Sequence, residues 1–71
     1  MSDGIYVRLV NEVIDVWRPV EAVRIDVDVY RIVPQVYDRA IESWEFGPGD
    51  VVRCQLIATD DGTIIAATSK A

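Results

Sequence analysis

Val51-Val52-Arg53-Cys54-Gln55-Leu56-Ile57-Ala58-Thr59-Asp60-Asp61-Gly62-Thr63-Ile64-Ile65-Ala66-Ala67-Thr68 decides the fold class of this chain. From Asp50 to Thr59 the residues Val52, Cys54, Leu56 and Ala58 recur at a period of two, which places them on one face of a strand. Asp60-Asp61-Gly62 then supplies a hairpin turn, and Thr63 to Thr68 is the returning strand. Just upstream, Gly47-Pro48-Gly49-Asp50 is a strong turn signal that separates this hairpin from everything before it.

Working outward, the N-terminal half repeats the β signature. Val and Ile together number 20 residues, whereas Leu occurs only at Leu9 and Leu56. Branched side chains lose rotamer freedom in helices and pack well on pleated surfaces, so this ratio favours strands. Ile5 to Leu9 alternates, Asn11-Glu12 is a turn, and an apolar run follows from Val13 to Ile25. Val23, Ile25 and Val27 alternate with Arg24, Asp26 and Asp28, after which the phase shifts at Val29-Tyr30-Arg31-Ile32-Val33. A reversal around Asp26-Val27-Asp28 explains the shift, and so does a bulge in one long strand. Pro34 ends the strand. The spacing Val36, Tyr37, Ala40, Ile41, Trp44 predicts a short helical segment near 36–44. The expected fold is mainly β: a small SH3-like five-stranded barrel, or a strongly bent antiparallel sheet with that one helix. Closure removes the edges that invite aggregation.

Length and composition set the bounds. Seventy-one residues make one domain, 1–71, with its core about 5–68. A chain this small has little interior, and stability is marginal without a disulfide, a metal or oligomerisation. A single cysteine excludes an internal disulfide, and the absence of His excludes a Cys/His zinc site. No apolar run approaches the roughly 20 residues that span a bilayer, and the N-terminus has no basic region, so a reducing, cytoplasmic setting is expected. The net charge of −5 and the scattered arginines make nucleic acid an unlikely partner.

The run from Val13 to Val23 is apolar on both parities: Val13, Trp17, Pro19 and Val23 on one, Ile14, Val16, Val20 and Ala22 on the other. An antiparallel strand with one wet face alternates cleanly. This one calls for a cover, either the 36–44 segment or another subunit. Self-association to a dimer or tetramer is therefore expected, with Val13, Trp17, Pro19, Val23, Trp44 and Phe46 as interface candidates. A bulge at Pro19 that swaps the faces is the bland explanation.

Little in the chain points to catalysis. Nucleophilic arrangements that need His are absent. Cys54, in phase with Val52 and Leu56, reads as a small buried hydrophobe. Asp26 with Asp28, and Asp60 with Asp61, are each too few for a dedicated calcium or magnesium site and read as a solvated face and a turn. Gly47-Pro48-Gly49 lacks the Lys-Ser/Thr of a phosphate loop. Trp17, Tyr30, Trp44 and Phe46 read first as core, with an aromatic groove for a proline-rich peptide as the alternative. No cofactor and no enzyme activity are expected.

Three segments carry a resemblance: Val16-Trp17-Arg18-Pro19-Val20-Glu21-Ala22, Tyr30-Arg31-Ile32, and Trp44-Glu45-Phe46-Gly47-Pro48-Gly49-Asp50-Val51-Val52-Arg53-Cys54. Together they resemble a group of small uncharacterised bacterial single-domain proteins with a W-R-P-V-x-A … Y-R-I … W-E-F-x-P-G-x-x-V-R-C pattern, some found in integron gene cassettes. The resemblance spans about residues 5 to 67 and implies no activity. It marks Trp17, Arg18, Pro19, Trp44, Phe46, Gly49 and Arg53 as pattern residues. Backbone geometry is the physical reading for Pro19, Gly47 and Gly49. Arg18 and Arg53 read as partners of carboxylates such as Glu21, Glu45 or Asp50. The function expected is a non-catalytic interaction module that self-associates through an apolar β face. The alternative is a nucleic-acid-associated module using Arg18, Arg31 and Arg53, which requires those three to converge on one face.

Overall fold

The computed structural model describes residues 3–14, 16–36 and 42–71. Five strands follow in chain order: β1 (Asp3–Arg8), β2 (Trp17–Arg24), β3 (Val29–Ile32), β4 (Val51–Thr59) and β5 (Gly62–Lys70). Each pairs antiparallel with the next, and the sheet closes into a barrel in the order β1-β2-β3-β4-β5. Four antiparallel steps leave β5 running in the same direction as β1, so the closing contact, Tyr6 beside Ala66, is parallel. This is the small five-stranded barrel expected from the sequence, and its closure replaces the open-sheet alternative.

The alternation in the sequence sets the inner surface. Ile5 and Val7 of β1, Val20 and Ala22 of β2, Tyr30 and Ile32 of β3, Val52 and Cys54 of β4 and Ala67 of β5 form one buried cluster. Ile5, Val7, Ile32 and Val52 are completely shielded. Phe46, from the segment between β3 and β4, completes the cluster at one end of the barrel.

Each turn has a local cause. Asn11 takes a φ of 66° after β1, a conformation that Asn tolerates better than most residues. In Gly47-Pro48-Gly49-Asp50, Pro sits at the second position and Gly49, with φ 90°, at the third, as a type II turn requires. The Asp50 amide donates to Gly47 O at 3.1 Å, and Gly47 N donates back to the Asp50 carboxylate at 2.9 Å. In the β4–β5 hairpin Asp60 and Asp61 keep negative φ, and Gly62 supplies the positive value of 122°.

The phase shift near Asp26 is a chain reversal, not a bulge: β2 ends at Arg24 and β3 begins at Val29. The reversal has no glycine because Arg24 folds over it. Its guanidinium donates to Asp26 O at 3.0 Å and to Val27 O at 2.8 Å, while Val27 N donates to the Asp26 carboxylate at 2.8 Å.

The helix expected near 36–44 falls mostly on residues 37–41, which lie outside the described residues. Its described ends, Val36 and Glu42 to Trp44, are not helical, and no helix occurs among the described residues. Trp44 instead forms a β-bridge with Leu9, Val10 N donates to Ser43 O, and Glu45 N donates to Arg8 O. Pairing with the end of β1 overrides the local helical spacing there. The long run read as Val13 to Ile25 is likewise shorter as a strand, since Val13 and Ile14 are exposed loop residues before β2.

Candidate functional site

The two ends of the barrel differ. At the end where β1, β3 and β5 finish, the 42–50 segment crosses the opening. The Leu9–Trp44 bridge holds it on one side and a hydrogen bond from Gly49 N to Ile32 O at 2.7 Å holds it on the other. Between these anchors Phe46 points into the core, and Trp44 packs beside it with its indole N–H donating to Glu42 at 2.9 Å. That end is closed by apolar contacts.

The other end is open. β4 and β5 are nine residues each, but β3 has only four and pairs with β4 over Val51 to Arg53 alone. Beyond Cys54, β4 therefore continues past β3 and, among the described residues, keeps only β5 as a strand partner. A cleft of about 140 Å³ lies between this stretch and the Asp26–Asp28 turn, lined by Val27, Asp28, Tyr30, Cys54, Gln55, Leu56 and Ile65. Leu56 is 74% exposed and Val27 76% exposed, and Ile25 in the same turn is 54% exposed. Leu56 has the alternation of a core residue but no opposing layer to meet.

The chemistry of the cleft is mostly hydrocarbon. Burial, with the Asp28 carboxylate adding to it, pushes the Cys54 thiol up to about 11, so it stays protonated at neutral pH. A protonated, enclosed thiol is a poor nucleophile. Among the described residues no three of His, Cys, Asp or Glu cluster in a way that holds a metal.

Of the interface candidates, Phe46 belongs to the core and Trp44 packs against it. Trp17 and Val23 are half-buried on the outer side of β2, Pro19 is exposed there, and Val13 is fully exposed in the loop before it. Trp17 lines a shallow second cleft with Arg8, Glu45, Ala67 and Thr68, where Arg8 and Glu45 form an ion pair at 3.2 Å. Tyr30 and Phe46 are both core, so the four aromatics do not line a common groove.

The charged residues take different partners from those read in the sequence. Arg18 pairs with Glu42 at 3.5 Å and Arg53 with Asp28 at 3.5 Å, while Asp50 is spent on its own turn. Arg31 and Arg53 are diagonal neighbours across β3 and β4, because Arg31 faces Val51 and Val29 faces Arg53. Arg18 does not join them: it lies five residues along β2 from Val23, the residue opposite Arg31. At strand spacing that is about 16 Å.

Alternation alone flagged Leu56 as core and gave no sign of the open stretch. The open stretch follows from β3 starting only at Val29, opposite Arg53, after the Asp26–Asp28 reversal, which the sequence left open between a turn and a bulge. No family model matches the chain, and neither a curated protein nor a solved structure matches it. No helix among the described residues is long and apolar enough to cross a membrane.

Proposed function

We propose that this protein is a non-catalytic interaction module that self-associates through an apolar β surface. The observation that carries this reading is the open end of the barrel, where Leu56 and Val27 stand exposed at an apolar cleft and Ile25 is exposed in the neighbouring turn. Size supports it. The chain exposes 4901 Å², whereas the scaling for compact monomers gives about 4,450 Å² at this mass. The surplus of about 450 Å² is of the order that each copy contributes to an interface of about 1,000 Å² in total. The protonated thiol and hydrocarbon lining support the non-catalytic part, and the lone free cysteine suits a reducing, cytoplasmic setting.

Light scattering on size-exclusion fractions, over a concentration series at two salt levels, tests the proposal. A dimer or tetramer that persists at low micromolar concentration is the expected result. A monomer at every concentration overturns it.

A further inference from the structure

We infer that the cleft at the open end of the barrel binds a small neutral molecule, about one six-membered ring in size, whose single hydrogen-bond acceptor is recognised by the Tyr30 hydroxyl. This goes beyond the self-association reading and does not rest on it, because every residue of the cleft belongs to one chain.

Size and lining set the body of the ligand. The cleft holds about 140 Å³. A protein cavity of about 150 Å³ lined by aliphatic and aromatic side chains takes up benzene, so one ring fits this space. Val27, Leu56 and Ile65 supply its hydrocarbon. Leu56 is 74% and Val27 76% exposed, so a ring laid against them removes apolar surface from water.

The polar groups set the head of the ligand. Tyr30 is only 7% exposed and forms part of the cleft wall, yet its hydroxyl makes no hydrogen bond to any other residue. Buried tyrosine hydroxyls usually find a partner. Among the described residues no fully enclosed side-chain oxygen or nitrogen lacks one. The Tyr30 hydroxyl is therefore not fully enclosed, and the cleft that Tyr30 lines is where it reaches outward. Beside it in the wall, the protonated Cys54 thiol is a second, weaker donor. An O–H and an S–H select an acceptor, such as a ketone or ether oxygen. Charge then excludes an acid. No lysine or arginine lines the cleft, and the Asp28 carboxylate, which does, would face any bound anion. Asp28 already has Arg53 as its partner at 3.5 Å, so it calls for no cation from the ligand.

Toluene, cyclohexanone and benzoate are close in size and differ in the feature at issue. Each is titrated into isotope-labelled protein, and the backbone amides of Val27, Asp28, Cys54, Gln55 and Leu56 are followed by NMR. The protein concentration is one whose oligomeric state light scattering has fixed. Toluene and cyclohexanone are expected to shift these amides saturably, with dissociation constants of about 1 mM, and benzoate to bind about tenfold more weakly or worse. Tyr30→Phe removes the hydroxyl and keeps the ring, so it weakens cyclohexanone by about 3- to 10-fold and leaves toluene unchanged. Leu56→Gln removes hydrocarbon from the rim, outside the core, and weakens both neutral probes by about threefold or more. No saturable shift at these residues overturns the site. So does a Tyr30→Phe variant that binds cyclohexanone as tightly as wild type, or benzoate that binds as tightly as cyclohexanone. A monomer that binds the neutral probes in the expected order overturns self-association alone and upholds the site.

Discussion

Phe46 offers the sharpest test of how the barrel is closed. Its backbone is held between Glu45 N–Arg8 O and Gly47 N–Asp50, and its ring sits in the core cluster at 9% exposure. Truncating a buried Phe to Ala costs about 3–5 kcal/mol. A 71-residue domain has only about 3.5–11 kcal/mol of total stability, so Phe46→Ala is expected to leave much of the protein unfolded. Phe46→Leu keeps a branched apolar side chain and loses about 1–2 kcal/mol of that contribution. With an unfolding entropy of about 0.15 kcal/mol/K for a chain this long, Tm falls by about 7–13 °C. Thermal unfolding followed by circular dichroism, at a low and a high protein concentration, reads this directly, and the drop is the same at both. A Tm within about 2 °C of wild type, together with weakened self-association, would refute the closure: Phe46 would then be a surface anchor, the interface role for which it is also a candidate in the sequence.

Two further outcomes follow from single positions. Gly49 has a φ of 90° and open space where a Cβ would be, so Gly49→Ala is strained by backbone conformation alone. The expected loss is about 1–2 kcal/mol, while Gly47→Ala, with no positive φ, stays near wild type, and equal losses in the two would sink the turn assignment. For Cys54 the folded value near 11 lies above the ordinary 9.0, so the fold favours the protonated thiol. Its contribution is complete below pH 9.0 and is lost as pH rises through about 11, so wild type loses stability relative to Cys54→Ala over that window. Parallel unfolding curves for the two proteins across it would show that the thiol is solvated.

Much of the fold is legible residue by residue. The alternation of Val52 and Cys54, of Tyr30 and Ile32, and of Val20 and Ala22 gives the inner face of three strands. Gly47-Pro48-Gly49-Asp50 and Asp60-Asp61-Gly62 carry their own turn chemistry, because positive φ is a property of the residue as much as of its surroundings. The reversal at Asp26 was ambiguous in the sequence because it is built by a side chain, the Arg24 guanidinium, in place of a glycine. The candidate site was less legible. Reading Val13 to Val23 as one long strand placed the apolar surplus on β2, whereas Val13 and Ile14 belong to a loop.

By itself the sequence determined that the chain is β-rich, where its glycine-containing turns at 47–50 and 60–62 fall, and that an internal disulfide and a Cys/His zinc site are excluded. These follow from local chemistry: branched side chains, glycine and proline conformations, and the count of cysteines and histidines. Only the tertiary structure decided which apolar residues are covered. Phe46 and Leu56 are both large and apolar, yet one is enclosed and the other is 74% exposed. The period of a strand says which way a side chain points, but burial needs a second layer opposite it. That layer exists for Phe46 because the 42–50 segment is pinned between β1 and β3, and it is missing for Leu56 because β3 begins only at Val29, opposite Arg53.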